Sequence, residues 1–296
     1  MKKIAFVINP ISGNTRIQQI KHALPERIAT TLDQQLWASE VVMTEYAGHA
    51  TRLARQYADA GYDAVVAVGG DGTVNEIACG LRDTTTAMGI LPMGSGNGLA
   101  RHLGIPMDIG RAVELFNHCE SASIDYGMAN EQLFVSTCGT GFDAVVADRF
   151  ATSGTRGLMT YLRTILRLAF TYRPQTYHLT GNQLDETHKA FLITFANANQ
   201  WGNGALIAPR ADLTDGLMDI MLMSPHALWG SLPLAIRLFA GNIDRSPMMH
   251  TLRAGEVLLR RESAAPFHID GDPKTMDNDI RIRIVKSGLR VLVAKY

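Results

Sequence analysis

The chain has 296 residues, enough for two ordinary domains, and 46% of them are apolar while 19% are charged, which excludes an intrinsically disordered protein. Lys plus Arg and Asp plus Glu each total 28, so no net charge attracts nucleic acid at long range and no nucleic-acid partner is expected. Any phosphate site must be built locally from backbone N–H groups and a few cations.

The first part of the chain alternates short apolar runs with helical patterns. Compact runs without polar alternation predict strands buried on both faces at Ile4–Ile8, Val41–Thr44, Val65–Val68 and Met88–Leu91. Apolar residues at three- and four-residue steps predict helices at Ile17–Leu32, with a kink or break at Pro25, and at His49–Ala60 and Val74–Leu81. This order predicts an α/β domain with a parallel sheet and helices on both of its faces.

After about residue 124 the pattern changes to short strands separated by turn residues. They are predicted at Phe134–Cys138, Tyr177–Thr180, Phe191–Ala196, Met218–Met223, Val257–Arg261 and Ile280–Ile284, with helices at Gly157–Thr171 and Ala227–Ala240. We expect residues 1–124 to form the α/β domain and residues 125–285 a mainly antiparallel β-sandwich. Arg290–Ala294 fits a strand of either domain, so residues 286–296 could complete the first one.

Cysteine usage and hydrophobic length indicate the compartment. The three cysteines have no metal or redox spacing and are expected to be thiols in a reducing environment. The first apolar run stops at Asn9-Pro10, too short for a signal peptide, and the longest uncharged stretch, 220–236, is too short for a membrane span. We expect a cytoplasmic protein.

Four polar or glycine-rich loops follow the first four predicted strands. In a parallel sheet these loops meet at the carboxyl edge, where ligands bind. Glycines leave backbone N–H groups accessible to phosphate, and a helix beginning after the loop favours negative charge. The candidate nucleotide-binding residues are Asn9, Pro10, Ser12, Gly13, Thr44, Gly69, Gly70, Asp71, Gly72, Thr73, Gly94, Ser95, Gly96 and Asn97.

Asp71 stands out in this set because a carboxylate repels phosphate unless a cation lies between them. We expect it to organise Mg²⁺, directly or through water, and to serve the reaction. The alternative is a tight glycine turn in which Asp71 only caps the following helix. Neither a Gly-x-x-x-x-Gly-Lys-[Ser/Thr] loop nor a Gly-x-Gly-x-x-Gly after the first strand is present, which argues against P-loop and ordinary dinucleotide-binding folds.

The motifs Asn9-Pro10-x-Ser12-Gly13, Thr44 with Gly48-His49-Ala50, Gly69-Gly70-Asp71-Gly72-Thr73-x-Asn75-Glu76 and Gly94-Ser95-Gly96-Asn97 resemble the diacylglycerol kinase catalytic domain. Their order and spacing look nearest to soluble bacterial lipid kinases, with sphingosine kinases as relatives. The resemblance implies ATP as phosphate donor, a lipid substrate, an N-terminal α/β domain and a C-terminal β-sandwich that holds the lipid.

The lipid headgroup stays open because two loops disagree. The fourth loop reads Gly94-Ser95-Gly96-Asn97-Gly98, which looks like sphingosine and ceramide kinases, where many bacterial members have Gly-Thr-x-Asn-Asp. The third loop begins Gly69-Gly70 and lacks the Ser-Gly-Asp-Gly of sphingosine kinases.

Two acidic turns lie in the second domain. The segment around Asp212 and Asp215 resembles a family turn that binds a structural Mg²⁺, which implies Asp212, Asp215 and the Leu217 carbonyl as ligands; a hairpin with solvated Asp residues is the alternative. The turn Asp270-Gly271-Asp272 resembles the family's Asp-Gly-Glu motif, which implies that Asp270 or Asp272 is the catalytic base if the turn reaches the cleft between the domains. Without the resemblance this turn would be read as a simple hairpin.

Arg156–Phe170 is basic and amphipathic, so it could lie peripherally on the inner face of a membrane or simply pack on its own domain. The apolar residues Leu228, Trp229, Leu232, Ile236 and Phe239 are expected in a core rather than in an acyl-chain pocket. A homodimer is compatible with the sequence, which leaves the oligomeric state open.

Two other functions compete with a lipid kinase. One is an NAD kinase, which also carries Gly-Gly-Asp-Gly, and the other is a sensor that binds a nucleotide or a lipid without turnover.

Overall fold

The computed structural model describes residues 1–10, 15–152, 168, 171–182, 184–225 and 231–295. Several predicted features therefore lie outside the described residues: Ser12 and Gly13, the basic segment Arg156–Phe170 except Leu168, and Leu228 with Trp229. Within the described ranges, no helix combines the length and the apolar character needed to cross a bilayer. The chain divides into two compact units, Met1–Asp125 with Lys286–Tyr296, and Tyr126–Val285.

The first unit is a parallel sheet with strand order β2-β1-β3-β4, and β16 (Asp279–Ala294) runs parallel beside β4, with Val291 opposite Met88. The other strands are β1 Lys2–Ile8, β2 Trp37–Met43, β3 Ala64–Gly69 and β4 Ala87–Pro92. The helices are α1 Thr15–Thr31, α2 His49–Asp59, α3 Asp71–Leu81, α4 Gly98–His102 and α5 Ile109–Leu115.

Strands β1 and β3 lie at the centre of this sheet and carry no polar alternation because both of their faces are covered. Phe6 of β1 lies opposite Val41 on one side and Val66 on the other, and all three are apolar. The strand order reverses between β1 and β3, so the loops that follow these two strands lie side by side at the carboxyl edge. That edge is where the sequence predicts the nucleotide site.

Helix α1 runs through Pro25, so of the predicted kink or break, the break is wrong. A proline inside a helix costs roughly 3 kcal/mol because it removes a hydrogen bond and crowds the preceding turn. Leu24 and Ile28, on either side of Pro25, are both buried in the core, and this apolar packing outweighs the local cost.

The second unit consists of two antiparallel sheets. In one, residues 279–285 of β16 pair with β13, followed by β8 and β9; the other has the order β12-β11-β10-β7-β14-β15. The remaining strands are β5 Cys119–Ala129, β6 Gln132–Phe134, β7 Thr137–Gly141, β8 Gln175–Gly181, β9 Leu184–Ala190, β10 Leu192–Ala196, β11 Met218–Met223, β12 Met249–Ala254, β13 Glu256–Arg261, β14 Ala265–Ile269 and β15 Asp272–Met276. Two helices accompany them, α6 Phe142–Thr152 and α7 Ser231–Phe239.

The apolar runs that predict strands in this unit arise because some strands are covered on both faces. Ile193 and Phe195 of β10 face the core between the sheets, while Leu192 and Ala196 face a second cluster on the opposite side. A strand buried on both faces is apolar at nearly every position, and Thr194 is the one polar residue of β10. The predicted α/β domain followed by an antiparallel β-sandwich is thus confirmed.

Three local predictions for this unit can be compared with the structure, and two of them are wrong. The predicted strand Phe134–Cys138 is interrupted, because the N–H groups of residues 135–137 donate to the Asp270 side chain instead of to a neighbouring strand. The predicted strands Ile280–Ile284 and Arg290–Ala294 are both present, as two parts of the single strand β16. The α7 residues expected in a core are exposed, at 69%, 62% and 62% for Leu232, Ile236 and Phe239.

Candidate nucleotide site and acidic turn

The third and fourth loops pack directly against each other. A Cβ atom built on Gly94 would lie 2.4 Å from the Gly70 Cα atom, and the Met93 N–H donates to the Gly69 carbonyl at 2.8 Å. These glycines are therefore required by close approach of backbone to backbone. Glycine also permits positive φ, but of the described residues in these two loops it is Asn97 that has positive φ, at 53°.

Asp71 connects the two loops through its carboxylate. Oδ2 accepts the Asn97 N–H at 2.9 Å and Oδ1 accepts the Gly98 N–H at 2.8 Å, at the start of α4. Burial raises the pKa of the Asp71 carboxyl above its ordinary value, while these hydrogen bonds and the charge of Arg101 oppose the rise. The carboxylate thus satisfies N–H groups that the first turn of a helix leaves unpaired.

Asn97 holds the fourth loop closed from the other side. Its Oδ1 accepts the Gly94 N–H at 3.0 Å and its Nδ2 donates to the Gly94 carbonyl at 2.8 Å. The left-handed backbone of Asn97 aims its side chain back at this glycine, and asparagine tolerates that conformation better than most residues. The loop geometry is consequently fixed by the protein before any ligand binds.

Gly72 and Ser95 are the parts of these loops that remain open to a ligand. A Cβ atom on Gly72 would meet nothing within 4 Å, and both residues are exposed. Gly72 lies in the first turn of α3, where N–H groups lack intrahelical acceptors and the helix dipole favours anions. A phosphate group can approach here without steric hindrance.

The second loop is organised by Glu76 of α3. Its Oε2 accepts the Ala50 N–H at 3.1 Å, and its carbonyl accepts the Thr51 hydroxyl at 2.8 Å. Glu76 therefore caps α2, and Gly48 allows the entry to that helix with φ at 83°. Thr44 is half-buried at the end of β2, where its N–H donates to the Ile8 carbonyl at 2.8 Å.

Two features of this unit were missed at the level of sequence. The rings of Tyr46 and His49 stack at 4.5 Å and 3°, the Arg52 guanidinium lies 5.7 Å from the Tyr46 ring, and Tyr46 is 52% exposed. Lys21 is 1% exposed and its Nζ donates to the Asn9 carbonyl at 2.6 Å. Lys21 falls on the apolar stripe of α1, and a charged residue on such a stripe is the sequence signal that could have predicted its burial.

The acidic turn of the second unit gives its two aspartates different roles. Asp270 Oδ1 accepts the N–H groups of Ser136 and Thr137 at 2.8 and 3.0 Å, and Oδ2 accepts that of Val135 at 2.9 Å. Asp272, at the start of β15, is exposed, and its carboxylate has no hydrogen-bond partner within the described part of the chain. Asp270 is thus bound to backbone while Asp272 is accessible.

A buried His–Asp pair next to this turn was also missed. His268 Nε2 lies 3.1 Å from Asp143 Oδ2, and both side chains are largely buried. His268 Nδ1 is buried and has no partner among the described residues. The signal was the position of His268 two residues before Asp270, in the same strand that the turn follows.

The segment with the predicted structural Mg²⁺ ligands is held by other groups. Asp212 Oδ1 accepts both the N–H and the hydroxyl of Thr214, at 2.9 and 2.7 Å. Asp215 Oδ1 accepts the Leu217 N–H at 2.9 Å, and its Oδ2 forms an ion pair with Arg253. A guanidinium at Asp215 competes with a divalent cation for the same oxygen, so an ion held by Asp212, Asp215 and the Leu217 carbonyl would have to displace Arg253 from Asp215.

Comparison with known proteins supports two domains. Residues 3–129 match the model of the diacylglycerol kinase catalytic domain, and residues 136–293 match that of the YegS C-terminal NAD kinase beta sandwich-like domain. A "Probable lipid kinase YegS-like" of Pseudomonas syringae pv. tomato is 30% identical over 81% of this chain and 79% of its own. A "Diacylglycerol kinase" of Bacillus subtilis is 28% identical over 92% and 90%.

The fold is shared with solved structures. A crystal structure of a diacylglycerol kinase from Bacillus anthracis str. Sterne superposes with a TM-score of 0.72, at 18% identity, over 99% of this chain and 97% of the other. At that identity the likeness concerns the fold alone.

Gly94→Ala is expected to destabilise the first unit, whereas Gly72→Ala is not. The added methyl group at Gly94 overlaps the Gly70 backbone, which typically costs about 1–3 kcal/mol, while at Gly72 it enters open space. Chemical denaturation of both variants measures the free energy of unfolding. Equal stability of the two variants would contradict the packing described for these loops.

Lys21→Met is expected to change how stability depends on pH. Burial lowers the pKa of Lys21 from 10.5 to about 8, so between these values the unfolded chain binds more protons than the folded one. The contribution of Lys21 to stability should therefore increase as pH rises from about 8 to 10.5. The difference in free energy of unfolding between wild type and Lys21→Met, measured across this range, should shift in favour of the wild type; a constant difference would argue against the lowered pKa.

Proposed function

We infer, because this chain belongs to the family that joins a diacylglycerol kinase catalytic domain to a YegS-type C-terminal domain, that it is a lipid kinase using ATP as phosphate donor. The observation that carries this proposal is the pair of interlocked glycine loops, joined by Asp71 and most exposed at Gly72 and Ser95. Phosphoryl transfer depends mainly on positioning and charge stabilisation, and a rigid loop pair with exposed N–H groups suits that task.

ATP is proposed to bind at the carboxyl edge of the parallel sheet. The loops containing Asn9, Pro10, Ser12 and Gly13, the residue Thr44, the segment Gly69–Thr73 and the segment Gly94–Asn97 would contact the nucleotide, as the family resemblance implies. The support is that the described members of this set lie at or beyond the ends of β1–β4, together with the open face of Gly72. The exposed Tyr46 ring offers an additional flat surface to the adenine base.

Asp71 is proposed to act on Mg²⁺ through water, in addition to holding the loops. Each of its oxygens accepts one backbone N–H and keeps a lone pair, so the carboxylate fits an outer-sphere role. Mg²⁺ bound with ATP would neutralise charge on the phosphates during transfer. A structural Mg²⁺ at Asp212, Asp215 and Leu217 stays a prediction of the resemblance, and we assign it no part in the reaction.

Asp272 is proposed as the general base, in preference to Asp270. Three backbone N–H groups occupy the Asp270 carboxylate, whereas that of Asp272 is exposed to an incoming hydroxyl. In the proposed step the lipid hydroxyl gives its proton to Asp272 as its oxygen bonds to the γ-phosphorus. The bond from that phosphorus to the bridging oxygen breaks, and ADP leaves.

The acceptor is proposed to be a diacylglycerol-like or sphingoid lipid alcohol. Relatives are named lipid kinase or diacylglycerol kinase, which supports the lipid class, while the fourth loop leaves the headgroup open. A cytoplasmic enzyme that reaches its substrate at the membrane surface, as a homodimer or as a monomer, remains our expectation. The domain description that includes NAD kinase makes NAD the specific alternative acceptor.

One assay tests these acceptors together. The protein is incubated with γ-labelled ATP and Mg²⁺, separately with diacylglycerol, sphingosine, ceramide and NAD, and the labelled product is identified. Label in a lipid supports the proposal and identifies the headgroup. Label in NAD alone, or ATP binding without transfer to any acceptor, would refute it.

Asp272→Asn is expected to lower kcat by roughly 10²- to 10⁴-fold while leaving the fold and ATP binding intact, because it removes the proton acceptor. Asp270→Asn should instead lower the stability, since an amide cannot accept the same three N–H groups. Steady-state kinetics with thermal unfolding separate the two effects, and Asp277→Asn, an exposed acidic site on the turn that follows β15, is the charge control. Wild-type kcat in Asp272→Asn would exclude it as the base.

A further inference from the structure

Glu186, His188 and His250 form a compact cluster of potential metal ligands in the second unit. His188 Nε2 lies 2.6 Å and His250 Nε2 lies 3.7 Å from the same oxygen, Glu186 Oε2. All three ligand atoms lie within 4.8 Å of one another. Donor atoms about 3.3 Å apart are what a tetrahedral ion with bonds of about 2.0–2.1 Å requires, and the observed spacings bracket this value.

The strands place these three side chains together. Side chains alternate between the two faces of strand β9. One face is exposed and carries Asp185, Thr187 and Lys189, while Glu186 and His188 share the half-buried face. His250 comes from β12, which ends the other sheet of the sandwich. The cluster therefore joins the edge strands of two different sheets.

The rings are held in an arrangement that a shared ion would suit. The centroids of His188 and His250 lie 5.2 Å apart with an interplanar angle of 35°, and both Nε2 atoms point at the carboxylate. Side-chain exposures of 25%, 42% and 51% for His188, Glu186 and His250 give an ion access from solvent. They also leave room for a water molecule as a fourth ligand.

The donor chemistry selects the class of ion. Two imidazole nitrogens and one carboxylate oxygen suit Zn²⁺ and similar transition metals, whereas Mg²⁺ prefers oxygen ligands and keeps much of its water. The ion expected at this cluster therefore differs from the Mg²⁺ expected with ATP. The cluster shares no residue with the candidate nucleotide site or with the acidic turn.

We propose that Glu186, His188 and His250 bind one Zn²⁺-class ion that pins strand β9 to strand β12. Such an ion ties the open edges of the two sheets, which otherwise meet at this cluster through His250 alone, whose Nε2 lies 3.7 Å from Glu186 Oε2 and whose ring lies 5.2 Å from that of His188. Because metal binding to the folded state adds directly to stability, occupancy should raise the unfolding temperature of the protein.

The proposal is tested with tag-free protein stripped by a chelator and titrated with ZnCl₂ in a calorimeter at neutral pH. Wild type is expected to bind one ion per chain, and His188→Ala and His250→Ala should each weaken binding at least about tenfold. His178→Ala is the matched control, because His178 lies on the neighbouring strand β8 and pairs with the exposed Asp185 instead. Its affinity for Zn²⁺ should equal that of the wild type.

Thermal unfolding provides a second readout that does not depend on the variants having wild-type stability. Zn²⁺ should raise the unfolding temperature of wild type and of His178→Ala, and leave those of His188→Ala and His250→Ala unchanged, while Mg²⁺ should reproduce none of this. The absence of 1:1 binding by wild type, or equal binding by the His188 and His250 variants, would overturn the proposal.

Discussion

The contact between Gly70 and Gly94 is the constraint on which the nucleotide side of the molecule depends. Strands β3 and β4 are neighbours, so the turns that follow them must pass within touching distance, and side chains at these positions would force them apart. The close contact brings the start of α4 within reach of Asp71, whose carboxylate then binds its N–H groups. Gly72 stays exposed, so the same glycine motif provides both the close packing of the loops and an open position for a ligand.

Carboxylates that bind backbone N–H groups recur throughout the structure. Asp71, Glu76 and Asp270 each accept hydrogen bonds from a segment distant in sequence, and such charge-assisted bonds are stronger than neutral ones. In each case the acid replaces a hydrogen bond that a helix start or an interrupted strand cannot make for itself. An acidic residue in a functional motif can therefore be structural, and Asp272 is distinguished from these by being exposed.

In the β-sandwich unit, the two-residue period of the strands decides which side chains enter the core and which polar side chains stay at its edge. Strand β10 is buried throughout, and apolar except for Thr194, because clusters cover both of its faces, whereas β9 has one solvent-facing row and one half-buried row. Polar side chains on the half-buried row meet those of the other sheet, as Glu186 and His188 meet His250. Edge strands are thus the positions where this core can accommodate metal-ligating groups.

The sequence by itself determined the fold class, the strands of the parallel sheet and the loops at its carboxyl edge, because buried strands and glycine turns leave local patterns. It could not determine that α1 continues through Pro25, that Asp270 interrupts a strand or that Lys21 lies against Asn9. Only the tertiary structure decided that Asp71, Glu76 and Asp270 are bound to backbone N–H groups while Asp272 is exposed. The physical reason is that hydrogen bonds between distant segments leave no trace in local periodicity, while the burial that drives strands and helices does.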